Sequence, residues 1–458
     1  MNKVTEKLDY APYEPKPEYA PLYSTAQIGI SAYEFTDWRD ETISWKKTCY
    51  IHAGLNPADP MVIKGPDLIR FLSRVCVTNF DNFPVGVIKH GVICNEQGKI
   101  IQDGVLVRTG EEEVMSHWMV PVLPYTLDSE KYGKFDVTLE YLRDTVFLFQ
   151  IGGPLSIDAL ESASGRSLRE LKFLRFTDAS VAGKPVRIYR IGMAGTLSYE
   201  VHGAMDDAHA VYNAIYEAGK PLGIRRLGSH CYPMNHAENG YPQFAVHFKE
   251  PRIQDKELMR YMGSTPGMEF WAYHSSASYE RGSAADDLNN YYHDPFELGW
   301  GKMIKFNHDF IGRQALEIIA GEDRRRMVSL EWNAEDIADV FASQFRDGEP
   351  YKPIEEPNDV RIWFNPDCSV HHDKVINEKG EVIGMSFGRQ NSAYFQRMIS
   401  ICCLDTAYTG LGTDVEVVWG EPGTRQKHIR AKVVRYPYNN VLRNESTDVT
   451  KIPYCSGN

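Results

Sequence analysis

The chain reads as an α+β body followed by an all-β end, and three observations predict that order. Helix-period and strand-period segments alternate through the first 325 residues. From about residue 326 the texture changes to short apolar strands separated by turns, at 327–332, 381–388, 398–404, 415–419 and 429–436. That texture builds a barrel or a sandwich. The 458 residues, 43% hydrophobic and 24% charged, supply a sizeable core in two to four domains or one composite fold.

The elements follow in chain order. Residues 1–26 are polar and rich in Pro and Tyr, with no apolar core segment, so they read as an extended arm and not a signal peptide. Gly65-Pro66-Asp67 opens a helix whose Leu68, Phe71, Leu72 and Val75 share one face. Strands at 85–94 and 100–108 are joined by the turn Asn95-Glu96-Gln97-Gly98. A strand at 145–151 ends at Gly152-Gly153-Pro154, and a helical stretch covers 156–173. The strand at 186–191 turns through Gly192-Met193-Ala194-Gly195, returns over 198–202 and leads to a helix at 207–219. In the β end, the acidic, proline-bearing stretch 347–358 reads as a surface insertion.

Composition excludes several classes. No apolar run approaches the roughly 18 residues that a membrane helix needs. Cys49, Cys76, Cys94, Cys231, Cys368, Cys402, Cys403 and Cys455 form no CxxC pair, which suits reduced thiols and predicts a cytoplasmic protein. A net charge of −12 argues against nucleic acid as a general partner. The longest basic run, Arg324-Arg325-Arg326, reads as a solvated helix end. HExxH, Walker A and GxGxxG motifs are all missing. His371-His372 reads as a solvated loop, because adjacent residues rarely ligate one ion, and no metal site is expected.

Three residues invite chemistry. Asp103 interrupts the otherwise apolar strand Ile100-Ile101-Gln102-Asp103-Gly104-Val105, where a carboxylate is costly unless it is paired. The other account of it is an Asp-Gly bulge at a strand edge. Glu200 follows a glycine turn; it either faces solvent or points inward, where it can grip a planar N–C–N edge with two hydrogen bonds. Tyr232 lies in the polar, turn-like segment Gly228-Ser229-His230-Cys231-Tyr232-Pro233-Met234-Asn235. A phenol of pKa about 10 matches a phenolate leaving group, so Tyr232 is a candidate proton donor for ether cleavage. The alternative is that it is packing filler, one of 26 tyrosines.

Taken together, the segments resemble the glycine-cleavage T-protein (aminomethyltransferase) superfamily. Gly98–Gly104 resembles the family strand that carries a folate-site aspartate, and Gln150-Ile151-Gly152-Gly153-Pro154 its Gln-Gly-Pro turn. Gly192 to Glu200 resembles its glycine turn followed by Tyr-Glu, and Asp309-Phe310-Ile311-Gly312-Arg313 a further family segment. Gly384-Met385-Ser386, Gly412-Thr413 and residues 433–438 fall in the expected order, so the match spans roughly residues 27–440. Within the superfamily the chain is most similar to the tetrahydrofolate-dependent aryl O-demethylases of the vanillate and syringate type. The shared pieces are Gly228-Ser229 with Tyr232-Pro233 and Asn235, Tyr291-Tyr292 with Pro295, Glu297 and Gly299, and the run 305–316.

The resemblance implies a T-protein-like α+β fold of two α/β lobes plus a C-terminal β-barrel around a central folate channel. It places the interleaved lobes at 27–325, the barrel at 326–445 and a tail at 446–458. It implies Tyr232 as the catalytic tyrosine, Asp103 and Glu200 as folate-site acids, Tyr241 as an aromatic beside the pterin, and Gln150 with them at the cofactor. A pterin offers the N–C–N edge that suits Glu200. Where the vanillate enzyme holds its aromatic acid with a His and an Arg, this chain has Pro57 and Met119. A thioether cannot replace a guanidinium fork. His52, His117 and Trp118 are the remaining candidates for holding the donor. The implied reaction moves a methyl group from a methoxyaromatic to N5 of tetrahydrofolate, giving a phenol and 5-methyltetrahydrofolate. Aminomethyl transfer of the glycine-cleavage type and non-catalytic folate binding remain open at this point, as does the donor's identity.

Overall fold

Period-two alternation in three segments builds the sheet that dominates the first lobe; the computed structural model describes residues 33–53, 59–192, 194–277, 279–356, 358 and 369–454. In Val146–Gly152, Phe147, Phe149 and Ile151 fall on one face and Leu148, Gln150 and Gly152 on the other. Ser198–Ala204 pairs with it so that Glu200 lies opposite Gln150, and Tyr50–Ala53 pairs on its other side with His52 opposite Gln150. Lys184–Tyr189 then sets Tyr189 opposite Glu200. One row of side chains, His52, Gln150, Glu200 and Tyr189, therefore crosses the sheet. The opposite face (Phe147, Phe149, Ile151, Tyr199, Val201) packs on the helices Ser156–Ser164 and Ala208–Gly219. The first of these helices is shorter than the sequence suggests, because Gly165 adopts a left-handed conformation at φ 64° and stops it.

A second sheet runs Ile88–Cys94, Ile100–Gly110, Glu113–His117, Met61–Lys64, Thr138–Tyr141. Asp103 pairs with Val92 and Gly104 with Gly91 in regular register, so the ladder has no bulge at Asp-Gly; the shifts fall at Ile93/Cys94 and Arg108/Gly110. Leu68, Phe71, Leu72 and Val75 of the helix Leu68–Val75 enter the same core as Leu106 and Met119, as their spacing predicts. Gly104 is there for closeness: a Cβ would sit 2.3 Å from the His117 carbonyl oxygen and 2.7 Å from Met119 Sδ. Gly104→Ala is expected to cost about 1–3 kcal/mol by overpacking, read as a lower midpoint in thermal or urea denaturation.

The β end closes into a six-stranded barrel, ordered Ser369–Ile376, Val382–Ser392, Arg397–Leu404, Arg326–Trp332, Lys427–Val434, Asp414–Trp419, with the last strand paired back to the first. Closure leaves no free edge among these strands. The closing strand Ser369–Ile376 escapes sequence reading because His371, His372, Asp373 and Lys374 break its apolar pattern. Inside the fold, His371-His372 is a buried strand pair and not a solvated loop: the two ring nitrogens of His372 lie 2.9 and 2.8 Å from the carbonyl oxygens of Asn290 and His247. Among the described residues no group of three His, Cys, Asp or Glu side chains is arranged to hold a metal.

The stretch 347–358 is likewise more than a surface insertion. Ile354 is buried, and the Lys352 carbonyl accepts from Trp419 Nε1 at 2.8 Å. The basic run is also not a free helix end, since Arg324 lies 4.0 Å over the Phe296 ring and Arg325 pairs with Asp405 at 3.0 Å. Among the described residues no helix is long and apolar enough to cross a membrane.

Candidate active site

The polar faces of the two sheets meet, with the His117 ring of the second sheet edge-on to His202 of the first at 4.9 Å. On the first sheet His52 Nε2 lies 2.6 Å from Gln150 Oε1, and His202 Nε2 lies 3.1 Å from Glu200. On the second, His90 Nε2 lies 2.8 Å from Asp103, and the Tyr241 hydroxyl lies 3.4 Å from the same nitrogen. The helix Tyr232–Asn239 brings the tyrosines in. Tyr232 is its first residue, with Pro233 behind it, where a missing N–H costs nothing. Gly240, left-handed at φ 71°, ends the helix and swings Tyr241 towards His90 and Trp300. The Tyr232 ring sits 5.5 Å from His52 and 4.6 Å from His236.

Burial sets the electrostatics. Desolvation raises the Glu200 carboxyl to about 7, with His117 opposing the shift. It lowers His52, His117 and His202 to about 3 and His236 to about 4, so these imidazoles are neutral at physiological pH. It drives the phenols of Tyr232 and Tyr241 far above the ordinary tyrosine value, and both keep their protons. The site thus offers hydroxyl donors, imidazole lone pairs and two carboxyl groups in a region closed to water.

Asp103, Glu200, Gln150, Tyr241, Tyr232, His52 and His117 are brought together here, whereas Trp118 and Met119 are not. Met119 packs against the Cβ positions of Gly91 and Gly104, on the face of the second sheet opposite to Asp103. Trp118 adopts φ 70° and turns its ring onto Phe244 and Trp271, at 5.0 and 5.4 Å, while its carbonyl accepts from Gln102. Both corrections come from the chain turning out of the strand after His117, which neither residue's type announces. Pro57 lies outside the described residues.

Sequence reading missed His90, His202, His236, Gln243 and Trp300. Two of these carry a usable signal. His202 is two residues beyond Glu200 on one strand, and His236 is four beyond Tyr232 on one helix, so each shares a face with its partner. The others arrive by pairing or packing that spacing does not reveal.

Several buried polar atoms of this site have no partner within the fold: Gln150 Nε2, both ring nitrogens of His117, His52 Nδ1 and His236 Nε2. Native folds leave few such atoms unsatisfied, so a polar ligand belongs between the sheets. The donor set suits a flat heterocycle with an N–H edge for the carboxyl groups and a ring oxygen for an amide.

Residues 38–251 match the family model described as the GCVT N-terminal domain. Over 436 residues the chain is 40% identical to the sesamin methylene transferase of Sinomonas sp. (strain No.22), covering 93% of this chain and 94% of that one. Over 443 residues it is 30% identical to the syringate O-demethylase of Sphingobium sp. (strain NBRC 103272 / SYK-6), covering 92% of each. Its fold is similar to the crystal structure of glycine cleavage system aminomethyltransferase T from Bartonella henselae, with a TM-score of 0.63 at 15% identity over 92% of this chain and 95% of that one.

Proposed function

This chain belongs to the aminomethyltransferase (GCVT) family, and on that premise we propose that it is a tetrahydrofolate-dependent aryl O-demethylase, moving a methyl group from a methoxyaromatic donor to tetrahydrofolate. The observation that carries the reading is the buried, proton-holding Tyr232 beside the row His52, Gln150, Glu200, with Asp103 facing it from the other sheet. Bound tetrahydrofolate supplies a nucleophilic nitrogen, N5. Its pterin would be held by Glu200 and Asp103 as acceptors, by the unpartnered amide of Gln150 as donor, and against the Tyr241 ring.

Tyr232 acts on the leaving oxygen. Its burial raises the phenol above a free phenol, so the hydroxyl keeps its proton while donating a hydrogen bond to the developing phenolate. The sheets hold the donor and exclude water, which strengthens that hydrogen bond.

The 40% identity to a methylene transferase favours one second reading, in which the carbon moves as methylene. Incubation with tetrahydrofolate and a panel of methoxy- and methylenedioxyaromatics separates the two. Mass detection of 5-methyltetrahydrofolate supports the first and methylenetetrahydrofolate the second. Formation of neither from any aromatic, with ammonia-linked transfer from an aminomethyl carrier instead, would return the chain to glycine-cleavage chemistry.

Glu200 makes folate binding pH-dependent. A carboxyl raised to about 7 is an acceptor above that pH and a protonated group below it. Affinity for tetrahydrofolate should therefore weaken as pH falls through about 7, by up to roughly tenfold per unit. His117 and His202, lowered to about 3, stay neutral across that window. Glu200→Gln should weaken binding by about tenfold or more above pH 7 and flatten the profile, as measured by fluorescence titration.

A further inference from the structure

We propose that the donor held beside Tyr232 is an uncharged aromatic ether carrying a free hydroxyl group, which donates to a bare ring nitrogen of His52 or His236. The inference rests on the transfer reading above and narrows its substrate. Two tautomers decide it. Gln150 Oε1 can only accept, so His52 Nε2 carries the ring proton, and Nδ1, which has no partner in the fold, is a bare lone pair. The Tyr241 carbonyl can only accept, so His236 Nδ1 carries the proton at 3.0 Å, and Nε2, also without a partner, is the second bare lone pair. Both rings flank Tyr232, and both are 2% exposed or less. Desolvation lowers both imidazoles to about 3–4, so neither acquires a second proton to become a donor.

Buried lone pairs beside Tyr232 ask the ligand for an O–H donor. A carboxylate has none to give: it is acceptor-only and charged. It would also meet the Glu200 and Asp103 carboxyl groups across the site. Among the described residues, no Lys or Arg acts electrostatically on His52 or His236. Two of the buried cations, Lys46 and Arg252, are committed to Glu238 and Glu250. Gln243, whose amide lies beside the Tyr232 hydroxyl, can meet an ether oxygen or a hydroxyl without bringing charge. His247 does not join this set, since its Nε2 lies 3.3 Å from the Cβ position of Gly388, against the barrel.

The test uses three probes on the full chain: a methoxyphenol, the same ring with its hydroxyl methylated, and the same ring with the hydroxyl replaced by a carboxylate. Each is titrated by calorimetry without folate and then followed for transfer with tetrahydrofolate. The methoxyphenol should bind at least about tenfold more tightly than either of the others, and at least one of His52→Leu and His236→Leu should cut that preference to about twofold or less. A merely structural role for either histidine would weaken all three probes alike and leave the ratio intact. Equal or tighter binding of the carboxylate or of the methylated ether, or an undiminished preference in both variants, overturns the inference and leaves the transfer reading standing. The expected binding preference with no one-carbon folate formed from any probe overturns the transfer reading instead.

Discussion

Tyr232→Phe should lower the rate of one-carbon transfer by about 10²- to 10⁴-fold, while the dissociation constant for tetrahydrofolate stays within about threefold. The substitution removes one oxygen and its proton and leaves the ring. That ring packs edge-on to His52 and His236 at 5.5 and 4.6 Å, so the site keeps its shape. What disappears is the hydrogen bond to the oxygen on which negative charge develops, in a region where water cannot substitute. The folate contacts proposed for Glu200, Asp103 and Gln150 belong to the sheets and not to this helix. Single-turnover formation of folate product, set beside equilibrium folate binding, separates the two effects. Turnover within about threefold of the parent would remove Tyr232 from the chemistry.

Glu238→Ala should destabilise the fold by about 3–5 kcal/mol. Glu238 is fully buried on the same helix as Tyr232, and it accepts from Trp45 Nε1 at 2.8 Å and Ser392 Oγ at 2.6 Å while pairing with the buried Lys46. One carboxylate thus ties the helix Trp38–Lys47, the site helix and the barrel strand Val382–Ser392 together. Its removal leaves Lys46 as a buried charge without a counter-charge and two donors without acceptors. Burial already lowers the Lys46 ammonium below its ordinary value, and the Glu238 charge is the main influence holding it up. Urea denaturation measures the loss. The double variant Lys46→Met/Glu238→Leu should recover a substantial part of it, because the uncompensated charge is gone. If Glu238→Ala left the midpoint unchanged, the three-way tie would carry no stability.

Much of the fold was legible because it depends on local periodicity. The apolar face of Leu68–Val75, the hydrophobic alternation of Val146–Gly152 and the short strands beyond residue 326 follow from side chains a few positions apart. The strand Ser369–Ile376 was not legible, although the barrel cannot close without it. Its His-His-Asp-Lys stretch reads as solvated until the residues that bury it, Asn290, His247 and Ser283, arrive from distant parts of the chain.

The site divides in the same way. Asp103, Glu200, Gln150 and Tyr232 could be named in advance because each sits in a short motif whose order along the chain resembles a known family, and Tyr241 is implied by that resemblance. By itself the sequence determined the α+β body with its β end and the acids and tyrosine on which a folate-linked transfer reading rests. Only the tertiary structure decided which neighbours complete the site. It paired His90 with Asp103 and His202 with Glu200, set His52 and His236 around Tyr232, and sent Met119 and Trp118 into the core. The reason is physical. Whether a residue's type and period suit a strand or a helix is a local property of the chain. Which lone pair His52 leaves bare depends on a hydrogen bond to Gln150, 98 positions away, and desolvation depends on everything packed around it.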